Sequence, residues 1–107
     1  MDVLRGTLDL MILKALAAGR LHGWGLTQWI RRTTDGALEI EDGALYPALR
    51  RLEDRGWIRA EWGTSENNRK ARYYELTGKG KRQLERELET WARFSEALGK
   101  IVDSGRV

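Results

Sequence analysis

The chain has 107 residues, 33% of them charged and 41% apolar, with a formal net charge of +3, one histidine and no cysteine. That is enough for one modest core, and it argues against an intrinsically disordered chain, a disulfide scaffold or a thiolate metal site. The longest apolar run, within residues 8–16, is broken by Asp9 and Lys14 and is too short to cross a bilayer; no export signal opens the sequence, so a cytoplasmic protein with no membrane partner is expected.

Over residues 3–18, Leu4, Leu8, Met11, Ile12, Ala15 and Leu16 recur at helical spacing, and Leu10 and Leu13 widen the apolar face. A helix so apolar belongs at the centre of the fold, and Gly19 is placed to stop it. A second helix is predicted to begin within His22-Gly23-Trp24-Gly25, with Leu26, Trp29, Ile30 and Thr33 inward and Asp35-Gly36 as the closing turn. Leu38 and Ile40 alternate with polar neighbours and predict one very short strand.

The third helix carries Leu45, Ala48, Leu49 and Leu52 at i, i+3, i+4 and i+7 as its inner stripe, and Gly56 closes it. Gly43, Pro47 and Arg50 then point outward, flanked by Tyr46 and Arg51. Proline lacks an amide hydrogen and is best tolerated near a helix start, so Pro47 is expected to mark where this helix begins. Residues 57–62 and 71–77 alternate as two strands around a polar loop, with Ile58, Ala60 and Trp62 on one side of the first strand. Thr77 is a natural N-cap for a last helix. On that helix Leu84, Leu88, Trp91, Ser95, Leu98 and Val102 follow at steps of four and three, with Phe94 and Ile101 alongside, making a seam for a partner helix.

Helix, helix, short strand, helix, hairpin is the order of a winged helix-turn-helix. The expected fold is mainly α with a small β-hairpin: a winged domain over residues 1–77, then a dimerisation helix and tail over 78–107. Arginine forks on the third helix can bond guanine edges or grip phosphate, and the small Gly43 and Ala44 allow close backbone approach. The hairpin tip adds Asn68, Arg69, Lys70 and Arg72, a composition that reaches a phosphate backbone or a minor groove. Double-stranded DNA is therefore the expected partner, contacted by Gly43, Ala44, Tyr46, Pro47, Arg50, Arg51, Asn68, Arg69, Lys70 and Arg72. A homodimer is expected through Leu84, Leu88, Trp91, Phe94, Leu98, Ile101 and Val102.

Of the five tryptophans, Trp24, Trp29, Trp57 and Trp62 are expected in the core or at its rim. Trp91 lies on the seam, as a dimer contact or as one wall of a pocket for a small apolar or aromatic effector. His22 reads as a hydrogen-bonded turn residue. No second histidine, phosphate loop or catalytic constellation accompanies it, so no metal, cofactor or enzymatic activity is expected. Glu41-Asp42, just before the third helix, would favour its dipole but repel phosphate, which keeps open a winged-helix module that binds protein without DNA.

Leu4-Arg5-Gly6-Thr7-Leu8-Asp9-Leu10, Leu21-His22-Gly23-Trp24-Gly25-Leu26, the stretch Gly43-Ala44-Leu45-Tyr46-Pro47-Ala48-Leu49-Arg50-Arg51-Leu52-Glu53, and Arg72-Tyr73-Tyr74-Glu75-Leu76-Thr77 followed by Gly80 closely resemble the PadR family of bacterial transcriptional regulators. The resemblance implies a winged-helix homodimeric repressor of inverted-repeat promoters, with effectors bound near the dimer interface in some members. It places Tyr46 in the recognition-helix motif and Arg72 in the wing motif. Where this chain has Trp24, the family usually has tyrosine. The single C-terminal helix resembles the compact branch of the family.

Overall fold

A computed structural model describes residues 3–106 in the order α1 (Val3–Leu16), β1 (Leu21–His22), α2 (Gly23–Thr33), α3 (Asp42–Asp54), β2 (Ile58–Thr64), β3 (Lys70–Leu76) and α4 (Gly78–Asp103). The inward side chain expected of Leu4 and the tail residue Val107 lie outside what is described. The apolar periodicities become burial. Leu45, Ala48, Leu49 and Leu52 of α3 are no more than 1% exposed, and they meet Leu8, Ile12, Leu13, Ala15 and Leu16 of α1. Leu26, Ile58, Tyr74, Leu76 and Leu84 complete this core. Thr33 departs from its expected inward place and is exposed, as the final residue of α2, one turn past buried Ile30.

Local chemistry ends the helices. After α3 the chain turns through Gly56, at φ +76°; the amides of Gly56 and Trp57 donate back to the carbonyls of Glu53 and Leu52. This double return satisfies carbonyls that the helix leaves open, and the left-handed turn favours glycine. Asp35, at φ +52°, and Gly36 close α2 in the same way, as the sequence predicts.

The short strand is not where the alternation of Leu38 and Ile40 predicts it. Those residues belong to no strand, and β1 precedes α2 instead. The sheet is antiparallel in the order β1-β3-β2. Strand β3 takes β2 on one edge and Leu21–His22 on the other, pairing Leu21 with Tyr74 and His22 with Tyr73. The place beside Tyr73 and Tyr74 is thereby taken by Leu21–His22, and alternation alone does not say which segment pairs there. Ile40 still packs, half-buried, against the core.

Helix α4 starts on a three-part clasp. Thr77 accepts from the Gly80 amide at 3.0 Å, donates its hydroxyl to the Gly56 carbonyl at 2.6 Å, and sends its amide to the Trp57 carbonyl at 3.1 Å. Gly80 rides directly on that same Trp57 carbonyl, with no room for a Cβ. Only the first turns of α4 are buried, at Gly80 and Leu84. Leu84, expected on the partner seam, instead completes the domain's own core. Beyond it the 26-residue helix runs on along α1 as far as Trp91 and Phe94, and the molecule measures 56 × 29 × 23 Å.

Candidate nucleic-acid interface

The outward face of α3 begins with Gly43 and Ala44, both exposed, followed by exposed Tyr46, Pro47 and Arg50. Pro47 is not at the helix start. It is the sixth residue of a helix that opens at Asp42, so no amide at that position can bond the Gly43 carbonyl. The helix continues on both sides of Pro47, with its inner stripe packed against α1. A Cβ added at Gly43 would meet nothing within 4 Å, so nothing in the chain itself requires glycine there.

Arg51, also expected in the DNA-contact set, is half-buried. Its guanidinium is drawn inward to Asp9 of α1 at 2.8 Å, with 27% of the side chain exposed and its Nε buried without a partner. Burial raises the Asp9 carboxyl above its ordinary 3.8, against the hydrogen bond and charge of Arg51. The pair therefore ties α3 to α1 at a desolvation cost that its geometry only partly offsets. Among the described residues, neither Arg50 nor Arg69 pairs with a carboxylate.

The wing is the β2–β3 hairpin, in register from Ile58 opposite Leu76 to Thr64 opposite Lys70. At its tip Ser65 donates its amide to the Arg69 carbonyl and accepts from Asn68, which sits at φ +59°. Asn68 thus shapes the turn that presents Arg69 and Lys70, both exposed. Arg72 points back toward α3, bonding the Glu53 carboxylate at 2.8 Å and lying 6.0 Å from the Tyr74 ring centre. Burial raises the Tyr74 hydroxyl above its ordinary value, the charge of Arg72 acting the other way.

Tyr46, Arg69, Lys70 and Arg72 line one open cleft of about 920 Å³ with His22, Gly23 and the loop residues Ser65, Glu66 and Asn67. His22 behaves as the turn residue expected: its Nδ1 accepts from the Gly25 amide at 2.9 Å and caps α2. The same cleft contains two residues that the sequence places with the core. Trp24 is 66% exposed and Trp62 61% exposed, whereas Trp29 and Trp57 are half-buried against the core as expected. The alternation of β2 is right about the face but not about its cover. Ile58, Ala60 and Trp62 share one side, and burial fades along it as the strand runs out past the core into the wing. Trp24 lies in the first turn of α2, where the helix rim meets the cleft. No periodicity in the sequence separates such a rim from an interior.

The seam residues Leu88, Trp91, Phe94, Leu98, Ile101 and Val102 are exposed along α4. Trp91 separates two small apolar grooves against α1, one of about 110 Å³ with Leu10 and Phe94, the other of about 280 Å³ with Met11 and Trp29. Among the described residues no acidic or histidine cluster could hold a metal ion, and no helix is long and apolar enough to cross a membrane.

Comparison with known proteins agrees with this architecture. Residues 12–86 match the family model described as the transcriptional regulator PadR-like family. A protein of Lysinibacillus sphaericus is 31% identical over 102 residues, covering 95% of this chain and 94% of its own length. A transcriptional regulator from Clostridium thermocellum superposes with a TM-score of 0.86 at 32% identity, over 96% of this chain and 100% of that one. A PadR family regulator from Eggerthella lenta gives a TM-score of 0.78 at 30% identity, over 95% and 88% of the two chains. The chain belongs to the PadR-like family of transcriptional regulators, which are not enzymes.

Proposed function

We propose that the protein is a homodimeric, sequence-specific DNA-binding repressor, acting in the cytoplasm on an inverted-repeat operator. The observation that carries this reading is the shared cleft: Tyr46 of α3 and the wing cations Arg69, Lys70 and Arg72 converge on one concave surface. Such a surface can seat a strand of duplex DNA, with Arg50 and Tyr46 at base edges and the wing on phosphate. Gly43 and Ala44 let the helix start approach closely, while Asn68 acts through the shape of the tip. Arg51 and Leu84 have structural roles, joining α3 to α1 and α4 to the core.

The exposed α4 seam supports the dimer. Leu88, Trp91, Phe94, Leu98, Ile101 and Val102 form a longer apolar stripe than a monomer ordinarily leaves in water. A 26-residue helix is about 39 Å long at ~1.5 Å per residue, enough to set two recognition helices about one DNA turn (~34–36 Å) apart. Trp91, between the two grooves, is the candidate wall for a small apolar or aromatic effector.

Selection of bound duplexes from a random pool tests the reading, with sedimentation at the same protein concentration. A twofold-symmetric site and a dimeric mass are expected. Absence of any salt-sensitive DNA binding at low ionic strength overturns it in favour of a protein-binding winged module, which exposed Glu41 and Asp42 at the start of α3 would suit.

A further inference from the structure

Among the described residues, the most exposed large apolar side chains fall in two places. One is the α4 stripe, which a second copy would cover. The other is the cleft between α2, α3 and the wing, where Trp24 and Trp62 stand in solvent and which no residue of α1 or α4 lines. Neither α1 nor α4 of this chain covers these two indoles. Single exposed aromatics need no explanation, but two on different elements facing one basic cleft do.

Resting on the DNA-binding reading above, we infer that Trp24 and Trp62 form a nonionic clamp on the sugar-phosphate backbone. Their indoles pack on deoxyribose while the neighbouring cations take the flanking phosphates. Each indole is held by its surroundings. Trp62 lies directly across from Arg72, and its ring carries the Lys70 ammonium 5.2 Å from its centre. Trp24 stands 6.3 Å from the His22 ring, which in turn lies 5.1 Å from Tyr73 of β3 and caps the helix that carries Trp24. A ligand suited to this surface alternates negative charge with apolar rings at short spacing. Arg69 and Lys70, with Arg72 shared with Glu53, outnumber the one acid lining the cleft, Glu66, so charge complementarity favours a polyanion, and the closely spaced rings favour the DNA backbone.

A contact to deoxyribose releases no counterions and reads no base, which distinguishes it from every arginine in the interface. Salt titrations with a random-sequence DNA duplex test it. Trp62→Ala, and separately Trp24→Ala, should weaken binding about tenfold at every salt concentration with the slope unchanged. Trp62→Phe should restore most of the loss, whereas Lys70→Ala should lower the slope by about 1. DNA should also quench tryptophan fluorescence in the wild type and in Trp91→Phe, but much less in Trp24→Phe/Trp62→Phe. Both residues are exposed, so thermal melting of the variants should match the wild type and exclude misfolding. Binding within twofold of wild type in both alanine variants overturns the clamp, as does a loss that appears only as a reduced slope. A wild-type protein that binds no duplex overturns instead the DNA-binding reading on which the clamp rests.

Discussion

The Tyr46 hydroxyl of α3 rests against Gly23, the first residue of α2, so closely that a Cβ there would stand 2.6 Å from it. The recognition helix is thus positioned on the N-terminal turn of α2 through a side chain that also lines the cleft. Gly23→Ala pushes Tyr46 aside. Tyr46 is 48% exposed and can swing outward, and alanine is the better helix former, so the melting temperature should move by only a few degrees. DNA affinity should fall about fivefold, roughly 1 kcal/mol. Unchanged affinity would show that the seat of Tyr46 on Gly23 does not matter to binding.

Gly80 presents the opposite case. Its missing Cβ would collide with the backbone carbonyl of Trp57, which cannot swing away. Gly80→Ala should cost more than about 3 kcal/mol in denaturant unfolding, by prising the clasp of Thr77 off Gly56 and Trp57. Gly99→Ala, with nothing within 4 Å, should stabilise α4 by about 0.5–1 kcal/mol. If both substitutions have the same sign, the close contact at Trp57 is not what requires glycine.

Asp9 makes stability depend on pH in a direction that its ion pair alone would not predict. Burial raises its carboxyl above 3.8, and Glu87 adds to the rise, while Arg51 and Arg55 oppose it. A carboxyl that holds its proton more tightly when folded contributes fully below its unfolded value. That contribution is lost as pH rises through the raised folded value. Relative to Asp9→Asn, the wild type should therefore lose stability as pH climbs from 3.8 through the upper carboxylate range. A relative gain over that range would mean that Arg51 outweighs desolvation.

Arg72 is shared between Glu53 and the cleft. Arg72→Ala should weaken binding to all duplexes alike and lower the salt slope by about 1, while Glu53→Gln releases the guanidinium and should strengthen binding. Arg50→Ala should instead reduce discrimination between the selected site and random DNA. Equal losses on both would remove base reading from Arg50.

Periodicity locates the inner stripe of α3 and the two strands of the wing, and residue chemistry locates the Thr77 cap and the turn at Asp35-Gly36. Each of these depends on neighbours within one or two turns of chain. The order of these elements already implies the winged architecture, and the family resemblance implies the same. The inward contacts of Arg51 and Leu84 escape a sequence reading for one reason, and the place of Pro47 for another: α3 opens one turn earlier than a proline at its start implies. A helical wheel tells inward from outward but not which element stands on each side. Arg51 is outward from the inner stripe and yet faces Asp9, 42 positions earlier.

The outward stretch of α3, with its tyrosine and arginine, was thus determined by sequence alone, because helical spacing is a local property. Which of its side chains stay in water was decided by the tertiary structure, through the approach of α1 and of the wing. The same holds for Trp24 and Trp62. Alternation put Trp62 on the correct face of β2, but only the length of the hairpin beyond the core decided that this face would end in an open cleft. Burial depends on what covers a residue, and that cover comes from elements distant in the chain.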